Sequence, residues 1–226
     1  MSGQELVTPP ASGTRRMVIL HSSPIVAEAL RHGVRALDPA VAIDTKYSWT
    51  DFARTWDFAA SWVIVDAYLD DHVPLALKVR SLVRVRSGVI VLGTMYSPAL
   101  RDRALAEGAV TWLEPAQPLP DIVTDICAVT AVRPHGRPVT PRPGTALTDR
   151  ELQLAGLHAS RRGLTPTAIG RSLGLAPSTV KAHIAATRRK YRENGIPVRS
   201  REELAAALIA DGYLVADDDW RRQARW

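Results

Sequence analysis

The chain of 226 residues is 46% hydrophobic, enough for one or two domains with a real core, and has no run of about 18 apolar residues that would cross a membrane. Its net charge of +6 is unevenly placed: residues 1–130 carry 12 Lys+Arg against 14 Asp+Glu, whereas residues 131–226 carry 17 against 9, the pattern of a near-neutral domain joined to one that binds a polyanion. A single cysteine, Cys127, excludes an internal disulfide and a cysteine-based zinc site, and the polar start of the chain lacks a secretory apolar region, so a cytoplasmic location is the default expectation.

Residues 1–14 bear Pro, Gly and Ser and are expected to be disordered. Over 15–132, short apolar runs alternate with helical periodicity. Strands are expected at 16–21, 41–45, 62–66, 88–93 and 109–113. Helices are expected at 24–37, 50–56, 74–85, 98–107 and 120–132, with Gly108 stopping the fourth. Strands alternating with helices predict an α/β doubly wound five-stranded parallel sheet, covered on both faces. In such sheets sites form beyond the C-terminal strand ends, at the topological switch point. Here those ends carry His21, Ser22, Asp66, Gly93, Thr94 and Glu114.

Five stretches carry a resemblance: Leu20-His-Ser-Ser-Pro24, Val63-Ile-Val-Asp66, Val91-Leu-Gly-Thr-Met95, Ala104-Leu-Ala-Glu-Gly-Ala109 and Trp112-Leu-Glu-Pro115. Residues 16–130 resemble the receiver domain of bacterial response regulators, which implies Asp66 as phospho-acceptor. The departures are as informative as the match. His21 and Ser22 stand where the family has an acidic pair, and neither is a good ligand for a hard divalent cation. Glu114 or Pro115 takes the place of the family's lysine, and a carboxylate there would repel a phosphoryl group. Gly93 stands at the hydroxyl position, with Thr94 beside it. The resemblance therefore implies a degenerate receiver with a vestigial acceptor, in which Asp66 persists as a structural acid. Asp70 and Asp71 are the remaining acids that could recruit a cation, from a loop away. Regulators with such receivers act without phosphorylation, under control of a small-molecule ligand or by dimerisation. Trp49, Trp56, Trp62 and Trp112 could line a ligand site or serve as core and interface residues.

Residues 133–146 begin with Arg133 to Gly144, which holds four prolines, two glycines and three arginines, and predict a semi-extended linker. Over 147–214, Thr148 with Glu151 and Ser200 with Glu203 read as capping boxes. Thr165-Pro166 opens a helix, and Gly174-Leu-Ala makes a tight turn before a helix expected to be capped by Ser178 and stopped by Gly195. The spacing predicts an all-α four-helix helix-turn-helix domain. In the third helix, Val180, Ile184, Thr187 and Tyr191 share the core-facing sector. Lys181, Ala182, Ala185, Arg188, Arg189 and Arg192 lie opposite, a small and basic face suited to a major groove. Ser178, Thr179 and the free amides of the first turn suit a phosphate.

Leu147-Thr-Asp-Arg-Glu151, Ala168-Ile-Gly-Arg-Ser-Leu173 and Ser178-Thr-Val-Lys-Ala-His183, with Ile184 and Lys190, resemble the LuxR/NarL-type DNA-binding domain. That implies base contacts from Lys181, Ala182 and Ala185, and phosphate contacts from Thr179, His183 and Arg189. It also implies a homodimer, with Leu204, Ala207 and Leu208 of the last helix at its interface. The long segment 192–198 is similar to that of an actinobacterial subgroup. A tail over 215–226 is acidic, then basic. The expected function is sequence-specific transcriptional regulation on double-stranded DNA, independent of phosphorylation. A conventional regulator phosphorylated on Asp66 by a histidine kinase, and a protein-interaction adaptor, are the competing readings. No nucleophile–base pair, phosphate-binding glycine loop or metal cluster is visible, so no enzyme, catalytic residue, cofactor or metal is expected.

Overall fold

The computed structural model describes residues 15–56, 61–69, 71, 73–94, 97–132, 145–160 and 163–216. The expected N-terminal disorder over 1–14, the Arg133–Gly144 linker segment, and residues 217–226 of the tail lie outside them. Five strands form one parallel sheet in the order β2-β1-β3-β4-β5: β1 (Arg16–Leu20), β2 (Ala42–Lys46), β3 (Trp62–Asp66), β4 (Gly88–Leu92) and β5 (Thr111–Leu113). The central strands WVIVD and GVIVL are buried throughout, as apolar runs in a doubly covered sheet should be.

The period-two alternation of the strands divides the core in two. Met17, Ile19, Trp62, Ile64, Ile90 and Leu92 point to the face covered by α1 (Pro24–Leu37) and α5 (Leu119–Thr130). Val18, Leu20, Val63, Val65, Val89 and Val91 point to the other face, covered by α2 (Trp49–Thr55), α3 (Leu75–Arg84) and α4 (Pro98–Ala106). Each such side chain, fully buried, contributes roughly 1.5–3 kcal/mol. The C-terminal ends of β1, β3, β4 and β5 bring His21, Asp66, Gly93 and Glu114 to one edge of the domain.

Four helices follow: α6 (Asp149–Ala159), α7 (Pro166–Leu173), α8 (Pro177–Glu193) and α9 (Arg201–Ala210). Both expected capping boxes form, Thr148 with Glu151 and Ser200 with Glu203, and Thr165 caps α7. One cap differs. α8 starts at Pro177 with Ala176 as N-cap, so Ser178 lies inside the first turn and caps nothing. Proline at the first helical position sets the start there, because its fixed φ favours that site and its missing N–H would have gone unbonded. α6 ends at Ala159, before Gly163, because Ser160 leaves the helical conformation at ψ 165°.

The two domains share an interface. Ala76 and Leu77 of α3 join the core formed by Leu152, Ala155, Ile184, Leu204 and Leu208. Arg80 donates to both Glu107 carboxylate oxygens (2.6 and 2.7 Å), to the Leu147 carbonyl (3.1 Å) and to Asp149 (3.0 Å). Arg84 also pairs with Asp149. Arg103 of α4 donates to the Asp211 carbonyl (2.9 Å), and its guanidinium lies 4.2 Å from the centre of the Tyr213 ring. Burial pushes the Asp149 carboxyl up, but hydrogen bonds from Arg84 and Arg80 outweigh it and hold the group below its usual range.

The turn between α7 and α8 depends on two glycines. Gly174 adopts φ +65°, a left-handed conformation that favours glycine. Gly170 must lack a side chain because a Cβ there would come within 2.6 Å of the Leu175 carbonyl oxygen. Gly170→Ala should therefore lower the stability of this domain by about 1–3 kcal/mol through overpacking against backbone. Equilibrium urea unfolding followed by helical circular dichroism checks this.

Candidate nucleic-acid interface and receiver-like pocket

α8 presents the two faces that its sequence predicts. Val180, Ile184, Thr187 and Tyr191 are buried, whereas Lys181, Ala182, Ala185, Arg189 and Arg192 are exposed. His183 and Arg188 are half-buried. Ser178 and Thr179 are exposed in the first turn, where the free amides and the positive end of the helix dipole also lie. Lys181, Ala185, Arg188 and Arg192 follow one helical stripe and line a groove of about 590 Å³ with Arg199, His158, Pro166, Pro197 and Val198. Arg189 does not join them; it pairs with Glu193 at 3.7 Å. Lys190 is held away, donating to Glu151 (2.7 Å) and to the Ala146 carbonyl (3.1 Å). Burial raises the Glu151 carboxyl, but hydrogen bonds from Lys190 and Thr148 outweigh it and leave the group below its usual range. None of the interdomain contacts described above involves the exposed face of α8.

The dimerisation residues expected on α9 are corrected. Leu204 and Leu208 are 0% exposed and Ala207 is 7% exposed, all packed into the core of their own domain. The apolar stripe of α9 is spent on α6, so a second chain meeting this helix would have to touch its other faces.

In the sheet domain, Asp66 is 1% exposed. Its carboxylate accepts from the Ser22 hydroxyl (2.7 Å), the Ser22 amide (3.3 Å) and the Tyr68 amide (2.9 Å). His21 Nδ1 lies 3.8 Å from the same carboxylate, but it accepts from the Ser23 amide at 2.9 Å. A ring nitrogen that accepts has no proton to offer Asp66, so this pair is not an ion pair. The Thr94 hydroxyl is engaged with the Tyr68 hydroxyl at 2.8 Å. The Trp112 indole donates to the Gly93 carbonyl (2.7 Å) and lies so close that a Cβ at Gly93 would come within 2.2 Å of its ring. Glu114 is half-buried beyond the end of β5.

A buried ion pair stands nearby that the sequence reading missed. Lys78 of α3 is 1% exposed and donates to Asp71 at 2.7 Å, with its ammonium 6.0 Å from the centre of a Trp49 ring. Burial pushes the Lys78 ammonium down, opposed by Asp71. A lysine inside the apolar run Leu75-Ala-Leu-Lys-Val79, in a chain with only four lysines, was the available signal. Asp71 is thus committed to a cation of the chain itself, and Asp70 lies outside the described residues. The donor set does not fit a divalent ion: one imidazole nitrogen and one hydroxyl are occupied, Asp66 is closed off and Asp71 is paired. Among the described residues no three His, Cys, Asp or Glu gather as metal ligands, and no helix is long and apolar enough to cross a membrane.

Trp49 and Trp56 flank the Phe52 ring at 5.2 and 4.4 Å, but the four tryptophans do not share one site. Trp62 packs on the α1/α5 side of the sheet, whereas Trp49, Trp56 and Trp112 border the opposite core. Trp56 alone of the four lines the small cavity of about 170 Å³ beside β2.

Residues 145–207 match the family model GerE, bacterial regulatory proteins, luxR family. The comparison with curated proteins returned no match. The fold is similar to that of RcsB from Salmonella enterica serovar Typhimurium bound to promoter P1flhDC in the presence of phosphomimetic BeF3-, with 16% identity and a TM-score of 0.52 over 86% of this chain and 100% of that one. Also similar are response regulator ChrA of a heme-sensing two-component system (20% identity, TM-score 0.41, 95% of this chain and 99% of that one) and the signal receiver domain of a DNA-binding response regulator (merR) from Colwellia psychrerythraea 34H (16% identity, TM-score 0.46, 52% and 99%). Residues 145–207 therefore form a LuxR-type helix-turn-helix domain, a DNA-binding class. The parallel sheet ahead of it gives a receiver-like fold, and the chain as a whole shares the fold of RcsB.

Lys78→Met should strand the Asp71 carboxylate and cost about 3–5 kcal/mol of stability, while Lys78→Met combined with Asp71→Leu should regain most of it. Denaturant unfolding of the three proteins measures both effects.

Proposed function

We propose that this chain is a sequence-specific transcriptional regulator of double-stranded DNA whose receiver-like domain works without phosphorylation of Asp66. The observation that carries the reading is the uncovered face of α8. Three exposed or half-exposed cations, Lys181, Arg188 and Arg192, stand around the small side chains of Ala182 and Ala185. Small residues let the helix backbone approach base edges, and the long cations span to bases or phosphates. Lys181 is the base reader. Ala182 and Ala185 offer methyl contacts, Ser178, Thr179 and His183 border the strand at the N-terminal half, and Arg189 follows the backbone.

Independence from phosphate is supported by the pocket. An acceptor must expose a carboxylate oxygen beside a metal and a neutralising cation. Here Asp66 is closed off by Ser22 and Tyr68, and Glu114 stands where a positive charge would be required. The match of residues 145–207 and the DNA-bound state of RcsB support the DNA partner, and the cytoplasm is where that partner would be met. The protein acts as a homodimer, as two-fold operators require, through a surface other than the buried stripe of α9. A small molecule is the remaining input compatible with a closed phosphate pocket.

Duplexes selected from a random pool should bind with a steep salt dependence, and Lys181→Ala should weaken specific binding by about 1–3 kcal/mol while leaving non-specific binding nearly unchanged. Fluorescence anisotropy at several salt concentrations reads both. Absence of any salt-dependent duplex binding would favour an adaptor acting through protein contacts.

A further inference from the structure

The helix-turn-helix domain touches the sheet domain at two points that have no room for a side chain. Gly156 lies inside α6, where glycine is among the least favourable residues for a helix. It is buried, and a Cβ there would come within 2.9 Å of Pro74 Cγ at the start of α3. Gly212, just past α9, adopts φ +72°, and a Cβ on it would run into the Ala99 carbonyl oxygen at the start of α4. Neither a proline ring nor a helix carbonyl yields as a flexible side-chain tip would.

Around these points the domains interlock. Val73 of the sheet domain packs against the helix-turn-helix core, and Val215 packs against the core under the sheet. Asp149 at the start of α6 is held by Arg80 and Arg84, so α6 is fixed both at its first residue and in its middle. The turn after α9 is fixed by Arg103, 6% exposed, through the Asp211 carbonyl and the Tyr213 ring. Both contacts lead to α8. Leu152 and Ala155 of α6 share a core with Val180, Ile184 and Tyr191. Burial, and after it the Asp211 carboxylate, push the Tyr191 phenol up. A shift at either glycine would pass to α8, because close-packed interiors transmit strain.

We propose that Gly156 and Gly212 are positioning residues for DNA recognition: they let α6 and the turn after α9 seat directly on α3 and α4, which fixes the direction of α8 against the sheet domain and so fixes the half-site spacing that a dimer accepts. The inference rests on the DNA-binding and homodimer reading above and deepens it. With the domains seated, the two α8 helices of a dimer joined through its sheet domains stand a set distance apart. The duplex that fits is one whose half-sites repeat at that distance. Domains joined only by a flexible tether would serve a range of spacings.

The test uses the full chain and duplexes carrying the selected half-site once, twice at the preferred spacing, or twice with that spacing changed by half a helical turn, about 5 base pairs. Anisotropy reads the affinities, and sedimentation velocity reads the dimer. Wild type should bind the preferred spacing about 100-fold more tightly than the altered one. Gly156→Ala should cut this preference to about threefold and leave the affinity for a single half-site unchanged. Alanine suits a helix interior better than glycine, so the variant loses no helix stability of its own. If circular dichroism nevertheless shows it misfolded, Arg103→Met, made on the opposite domain, carries the test with the same expected result. A spacing preference retained in the folded variant would overturn the inference and leave the DNA-binding reading intact. So would a wild type that is monomeric or indifferent to spacing. An equal loss on single and paired half-sites would also overturn it, since the glycines would then serve folding alone. No salt-dependent binding to any duplex would sink the DNA-binding reading itself.

Discussion

The placement of the DNA-facing helix depends on one helix that belongs to two cores. Leu75, Val79 and Leu82 of α3 pack under the sheet, and Ala76 and Leu77 enter the core of the helix-turn-helix domain. Between them Lys78 is buried against Asp71, and two residues on, Arg80 ties Glu107 to Asp149. A helix so used on several sides cannot rotate without breaking one core or the other. Interiors packed at crystal-like density shift between discrete arrangements rather than deform smoothly. The result is a chain whose two domains are braced through α3 and α4, while α8 turns its basic face outward.

The proposal that the receiver-like domain works without phosphorylation rests on the strand ends. A receiver that switches needs an exposed acceptor carboxylate and a metal beside it. In this chain the carboxylate of Asp66 is used as a structural acceptor, bonding two loops through Ser22 and Tyr68. Thr94 is tied to Tyr68, and Trp112 covers Gly93. Lys78, buried in α3, is paired with Asp71. Asp66, His21 and Thr94 each have a hydrogen-bond partner within the chain.

Much of this was legible in the residues. The five strands and their order of burial follow from short apolar runs. The capping boxes at Thr148 and Ser200 mark two helix starts to the residue, and the 100° periodicity separates the buried Val180-Ile184-Thr187-Tyr191 stripe from the basic face. The proposal of a degenerate pocket rests on His21, Ser22 and Glu114 taken as substitutions. What was not legible depends on pairing at a distance. Nothing local tells that Lys78 finds Asp71 or that Arg80 reaches Asp149, because partners 7 and 69 residues away are chosen by the fold. Leu204, Ala207 and Leu208 were placed at a dimer interface by the family resemblance, whereas the fold spends them on the core of their own domain. The start of α8 turned on Pro177, whose preference for the first helical position prevailed over the capping preference of Ser178.

The central claim is that DNA binding by α8 does not wait on Asp66. The most direct measurement is the affinity of the full chain for a selected duplex, by anisotropy, with and without magnesium and beryllium fluoride as phosphoryl mimic. The account predicts the same dissociation constant under both conditions, for the wild type and for Asp66→Asn. A tightening that requires the mimic and disappears in Asp66→Asn would contradict it.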